Sequence, residues 1–163
     1  DVRVLLGGPD PRLFNLCQAG QAEQLRTLLA SEGISSVRVL DQRGRTPLNM
    51  AIASESLDTV KVLLERDPRC LDMPDGNGDC ALHAAAAVGD LHILRHLLSL
   101  QPQTLDMQNM DKSEYSAGNW MLNGEVVEPL DKTPLHVAVE AGDVAVATVL
   151  LAAGASPNIP DYG

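Results

Sequence analysis

Aromatic residues are nearly missing from this chain: Phe14, Tyr115, Trp120 and Tyr162 are all that its 163 residues hold. A core has to be made from Leu, Val and Ala instead, which suits small, closely packed helices. Cysteine is equally sparse. Cys17, Cys70 and Cys80 are an odd number without a Cys-x-x-Cys pair, and no Asn-x-Ser/Thr sequon occurs. Reduced thiols and an intracellular location, cytoplasmic or nuclear, are therefore expected. Positive charge is in deficit, with 12 Lys and Arg against 22 Asp and Glu and a net charge of −10. Such a chain repels phosphate backbones and anionic membrane surfaces, so nucleic acid is not an expected partner. Long apolar runs are lacking too. The longest, Val144 to Ala155, is interrupted by Thr148 and Gly154. It falls short of the roughly 18–20 residues of a membrane span, and no charged leader makes it a signal peptide.

What the chain does contain is repetition. Asp41-Gln-Arg-Gly44-Arg-Thr46-Pro47-Leu48 aligns with Asp75-Gly-Asn-Gly78-Asp-Cys80-Ala81-Leu82, and Leu48 and Leu82 are 34 residues apart. A third copy, Asp131-Lys132-Thr133-Pro134-Leu135-His136, sets Leu135 a further 53 residues along, one period plus an insertion of about 19–20 residues. Double leucines follow each copy at Leu63-Leu64, Leu97-Leu98 and Leu150-Leu151. An earlier pair, Leu28-Leu29, follows Cys17-Gln-Ala-Gly20. Periods of this length mark stacked supersecondary units.

Each unit reads as a turn leading into two helices. Gly44 and Gly78 sit in Asp-x-x-Gly turns, and Thr46 or Thr133 followed by proline is a helix N-cap with Pro at the first helical position. First helices are predicted over 47–54, 81–88 and 134–141. Gly89 or Gly142 then stops the helix, and Asp90 or Asp143 starts the next. Second helices are predicted over 57–66, 91–100 and 144–153, with Leu or Val at i, i+3, i+6 and i+7. One hairpin cannot bury that face alone, so its neighbours must cover it.

Thr133-Pro-Leu-His136-Val-Ala138-Val-Glu-Ala-Gly142-Asp143, continued by Leu150-Leu151-Ala-Ala-Gly154-Ala155-Ser-Pro-Asn158, resembles an ankyrin repeat almost position by position. The third repeat keeps most of the pattern. The second departs from it at Asn49, in the histidine place, and at Glu55, in the glycine place, which is expected to loosen one turn. The first, Leu13 to Leu29, lacks the Thr-Pro-Leu-His tetrapeptide. The resemblance implies an all-α solenoid of helical hairpins with short β-hairpin fingers. Its expected divisions are a cap or partial repeat at 1–10, repeats at 11–40, 41–74, 75–111 and 129–160, an insertion at 112–128, and the opening of a further repeat at 161–163. That last fragment, and the absence of an initial Met, suggest a piece of a longer protein.

Catalytic constellations are poor. His92 and His96 stand at i, i+4 on a helix but lack a third ligand, so they read as helix-surface residues and not a metal site. His83 and His136 occupy equivalent repeat positions, where the resemblance implies structural hydrogen bonding in the turn. No base stands beside any of the three cysteines in the sequence. Gly76-Asn-Gly78 lacks the remainder of a phosphate loop. No enzyme activity and no cofactor are expected within these residues.

Two features point to recognition. The insertion holds Tyr115 and Trp120 followed by Met121, and Tyr and Trp are the residue types most enriched at binding hot spots. Alternatively, it folds back on the stack as a hairpin about Asn123-Gly124. The resemblance further implies a concave face of finger tips and first helices: Gln42, Arg43, Arg45 and Ser54 in the second repeat, Asn77, Asp79, Ala87 and Val88 in the third, Lys132 and Glu140 in the fourth. Arg43 and Arg45 suit an acidic anchor on a partner. The expected function is binding of a protein or peptide partner by a monomeric module. Two alternatives are a substrate-recruiting arm of a larger enzyme or effector, and a site for chemistry built by the insertion.

Overall fold

The computed structural model describes residues 9–31, 34, 36–109, 121–122, 125–126 and 132–160. Eight α-helices form four hairpins among these residues. The first helices are α1 (Pro11–Gln18), α3 (Pro47–Ala53), α5 (Ala81–Val88) and α7 (Pro134–Glu140); the second helices are α2 (Ala22–Ala30), α4 (Leu57–Arg66), α6 (Leu91–Ser99) and α8 (Val144–Ala152). Six of the eight begin on a residue whose side chain accepts a first-turn N–H; α2 and α5 do not. Thr46 Oγ1 accepts the Asn49 N–H at 3.0 Å, Asp90 accepts the Ile93 N–H at 3.1 Å and Asp143 the Val146 N–H at 3.0 Å, with Pro47 and Pro134 at the first turn of their helices. These side chains satisfy amide groups that have no partner within the helix.

First helices pack on first helices in chain order and second helices on second helices, giving two layers with the core between them. Leu63, Leu82, Leu97 and Leu150 are wholly buried there, and Leu48 nearly so. Val139, Val144 and Leu151, in the fourth hairpin, stay exposed at 63%, 77% and 47%. In the second hairpin Ile52 and Leu64, the counterparts of Val139 and Leu151, are buried beneath the third.

Polar bonds fix the register between neighbours. His83 Nε2 donates to the Lys132 carbonyl of the next finger at 2.9 Å, while its Nδ1 accepts the Cys80 N–H at 3.2 Å. Asn49 reaches the equivalent point, donating from Nδ2 to the Asp79 carbonyl at 3.0 Å. Its Oδ1 is buried without a hydrogen-bond partner among the described residues, because an amide is too short to turn back to its own cap as an imidazole does. At the tips the Gly76 N–H donates to the Gly44 carbonyl at 2.7 Å, and a Cβ on Gly76 would meet Gly44 Cα at 3.1 Å. Glycine is needed at that approach.

Two expectations are corrected. The turn at Glu55 is not loosened: its N–H donates to the Ile52 carbonyl at 2.9 Å, and Ser56 N–H to Ala51 at 3.4 Å. The departure from glycine is absorbed as a φ of 55° at Glu55, where Gly89 takes 83°. The fingers at 41–45 and 75–79 are tight turns and not β-hairpins, each closed by two backbone bonds: Asp41 N–H to Arg45 at 3.0 Å with Gly44 N–H to Asp41 at 3.0 Å, and Asp75 N–H to Asp79 at 2.9 Å with Gly78 N–H to Asp75 at 3.0 Å. The strands found among the described residues are Met121–Leu122 and Glu125–Val126, antiparallel with Met121 opposite Val126. Cys70 lies in a 3-10 helix, Pro68–Asp72, buried at 4% exposure. Of the cap or partial repeat expected at 1–10, residues 1–8 lie outside the described residues, as does the further repeat expected at 161–163.

The orphaned oxygen generates a prediction. Asn49→His supplies the missing acceptor for the cap and keeps the donor to the next finger, so it should stabilise the chain by about 1 kcal/mol. Urea unfolding read by circular dichroism checks this; a variant no more stable than the parent refutes it.

Candidate partner-binding surface

The finger of the second repeat is organised by one carboxylate. Asp41 Oδ1 accepts the N–H groups of Arg43 and Arg45, both at 2.9 Å, and Oδ2 takes the Arg45 guanidinium at 2.8 Å from Nε and 2.7 Å from Nη2. Burial alone would raise this carboxyl. The backbone and side-chain bonds from Arg45 and the N–H of Arg43 outweigh it, holding Asp41 below its ordinary value. One consequence is that the two arginines differ. Arg45 is fork-paired and half-buried, whereas Arg43 is exposed and its guanidinium has no ion pair among the described residues.

Beside this finger lies a groove of about 630 Å³, floored by Phe14 and Met50, with Pro9 and Pro11 at one end. Asn15, Gln18 and Gln42 edge it with amides. It continues past Gln18, Arg45 and Met50 into a second depression of about 420 Å³ that reaches Ala53, Ser54 and Asp75. Together they form a trough along the first-helix side of repeats one to three. Exposed amides suit the backbone N–H and C=O groups of an extended peptide, the apolar floor suits a side chain between them, and Arg43 suits a carboxylate.

The residues picked from sequence divide unevenly. Gln42, Arg43, Arg45 and Ser54 line this trough. Ser54 is already engaged, its Oγ donating to the Cys17 carbonyl of the previous repeat at 3.1 Å and to Ala51 at 2.8 Å. Asn77 is an exposed finger tip, and Val88 is half-buried at the end of α5. Asp79 accepts the Asn109 side-chain amide, and Lys132 Nζ pairs with Glu140 at 3.0 Å, so the fourth-repeat residues hold each other. Tyr115 and Trp120 lie outside the described residues; of Met121 only the strand backbone is described. Phe14, Asn15, Gln18 and Met50 were missed. They belong to helices, and Phe14 sits in the unit whose motif match is weakest, so its aromatic ring was the sole available signal.

The insertion springs from a finger stem like the others. Asn109 N–H donates to the Lys132 carbonyl at 2.9 Å, and Asn109 Oδ1 accepts the Lys132 N–H at 3.0 Å, as Asp41 and Asp75 do in their own turns. Twenty-two residues separate Asn109 from Lys132, where three separate the corresponding residues of the other fingers, a wider span than 112–128.

A base does stand beside one cysteine, contrary to expectation. His83 Nδ1 is 3.0 Å from Cys80 Sγ. Although burial opposes ionisation, the bond from His83 holds the Cys80 thiol below its ordinary value. The pair is sealed in the core, with Cys80 at 0% and His83 at 1% exposure, so no substrate reaches it. Burial pushes Cys17 and Cys70 up to about 12, the wrong direction for nucleophiles. Among the described residues, no helix is long and apolar enough to cross a membrane.

Comparison with known proteins places these observations in a family. The family model described as ankyrin repeats (3 copies) matches residues 13–111 and 70–161. A putative ankyrin repeat protein of Rickettsia felis is 28% identical over 92% of this chain and 40% of its own length. Rabankyrin-5 of Mus musculus is 28% identical over 80% of this chain and 10% of its own length. A probable 26S proteasome regulatory subunit, p28, of Saccharomyces cerevisiae is 26% identical over 88% of this chain and 70% of its own length. The chain therefore spans well under half of the first two of these relatives.

The Asp41 cluster gives a pH dependence. With its folded pKa below the unfolded value of about 3.9, this carboxylate contributes stability above that pH and loses it as pH falls through the folded value. Asp10, bonded first by Arg12, and Asp67, bonded first by Arg69, shift in the same direction. The urea midpoint should hold steady from pH 7 to about 5 and drop below about 4. Asp41→Asn, which keeps the turn acceptor as Asn109 does, should start lower and fall less steeply; parallel curves for the two proteins refute the assignment.

Proposed function

The chain belongs to the ankyrin-repeat family, whose repeats are generally protein–protein interaction modules, and from that premise we propose that it binds an extended peptide segment of a partner protein in the trough beside the second finger. The observation that carries this reading is the conjunction there of an apolar floor, three exposed amides and an exposed Arg43 that has no ion pair among the described residues. Hydrogen bonds from Asn15, Gln18 and Gln42 hold the partner's backbone; a carboxylate meets Arg43; an apolar side chain lies over Phe14 and Met50. The stacked hairpins keep these groups pre-organised, which reduces the ordering cost of binding. Asn77 and Val88 extend the contact along the concave face. Tyr115, Trp120 and Met121 add contacts from the insertion, a role supported by the stem that joins both ends of residues 110–131 at the finger edge.

A second reading, a recruiting arm that delivers a partner to chemistry elsewhere in a larger protein, is favoured by the small share of the Rickettsia protein and of Rabankyrin-5 that these repeats occupy. It uses the same trough, and the chain's place within a larger protein distinguishes it.

Partner retention from lysate, quantified by mass spectrometry, tests the surface. Arg43→Glu and Trp120→Ala should each lower retention of the same protein while leaving the melting temperature within about 1 °C, since neither variant touches a described core contact. For the purified pair, Trp120→Ala should cost more than about 1 kcal/mol, and affinity through Arg43 should fall as salt rises. Full retention by Arg43→Glu with a flat salt series overturns the reading.

A further inference from the structure

The outer layer carries a separate depression that the concave trough does not use. It lies between α4, the 3-10 turn and α6, with a volume of about 500 Å³. Leu64 and Leu71 form its base, and Leu100 stands 44% exposed on its wall. The backbone explains that exposure: α6 ends at Ser99, and Gln101 takes a φ of 52°, turning the chain away and leaving Leu100 uncovered.

Most of the charge around this depression is already satisfied. Glu65 meets Arg26 at 3.2 Å and Arg69 meets Asp67 at 2.9 Å. Asp72 Oδ1 accepts the Gln103 N–H at 3.0 Å and the Thr104 hydroxyl at 3.1 Å. Lys61 has no ion pair among the described residues. Its ammonium is near enough to His96 that burial, and then the Lys61 charge, hold that imidazole below its ordinary value. A cation with no ion pair among the described residues therefore borders an apolar floor on a chain whose net charge is −10.

We propose that this outer groove docks an acidic, leucine-containing segment of a partner protein, with a carboxylate against Lys61 beside His96 and an apolar side chain against Leu71 and Leu100. The complement is local: one cation takes one carboxylate, and the apolar wall takes the side chain beside it. Glu65 and Asp72 on the same rim disfavour a polyanion such as a membrane surface. The groove is independent of the concave trough, so both can be filled together.

The test is an amide NMR titration of the full chain with two acetylated, amidated peptides, Leu-Glu-Glu-Leu-Leu and its glutamine counterpart Leu-Gln-Gln-Leu-Leu. The acidic peptide should shift resonances in residues 61–72 and 96–103 and bind about fivefold more tightly than the glutamine peptide, the scale of one exposed charge pair. Lys61→Glu, at a half-exposed position, should weaken the acidic peptide about tenfold with the melting temperature unchanged. Leu100→Ser should weaken both peptides. Equal binding of the two peptides, shifts confined to the concave face, or a response only to anionic phospholipid vesicles overturns the proposal.

Discussion

A hairpin of two helices, each of seven to ten residues, buries one of its sides against itself and leaves the other apolar, so its stability depends on a neighbour of the same shape. Everything else in this molecule follows from meeting that need four times over at a fixed spacing. Wholly buried Leu63, Leu97 and Leu150 recur at the same station of the second, third and fourth units. Helices α5 and α7 start on a residue whose backbone N–H is held by the imidazole two or three positions into the helix, and His83 further ties its unit to the next finger. Asn49 shows which part of that device is indispensable. It keeps the bond to the next finger while Thr46 still caps the helix, and forgoes only the return bond from its side chain to the cap residue's N–H.

Because the core and the register are settled by these recurring positions, the remaining surface is free to vary. The fingers illustrate this most plainly. Asp41, Asp75 and Asn109 accept the same turn N–H groups, yet the tips they support are two short turns and one 22-residue excursion between Asn109 and Lys132. A stem that closes in the same way admits almost any tip, since loop closure cost grows slowly with length. The concave trough is built on equal terms: its floor is the exposed edge of core residues Phe14 and Met50, while its rim is finger and helix-end polar groups that no packing demand selects.

The outer groove stands in contrast. Its exposure comes from one positive φ at Gln101 and one leucine left over at the end of a helix, features of loop geometry and not of the repeat. The two surfaces thus have different physical origins, one from the architecture shared by every unit and one from a local departure in the third.

The repeat period, the caps and the alternation of first and second helices were legible in the sequence because each depends on residues within a few positions of one another. Thr-Pro at a helix start, Gly or Asp between helices and Leu-Leu at a fixed distance all act locally, and the helix ends agree to within one residue. Cavity shape, charge pairing and the fate of a departing residue were not legible, because they depend on residues 30 to 50 positions apart brought together by stacking. Arg43 and Arg45 look alike in the sequence; only the folded finger commits one of them to Asp41. Glu55 reads as a weakened turn, and only the backbone shows the turn intact with its strain held in φ. Cys80 and His83 are three apart and their contact follows from helix geometry, but whether that pair faces solvent or core is a decision of the tertiary packing, which closes the third unit between its neighbours.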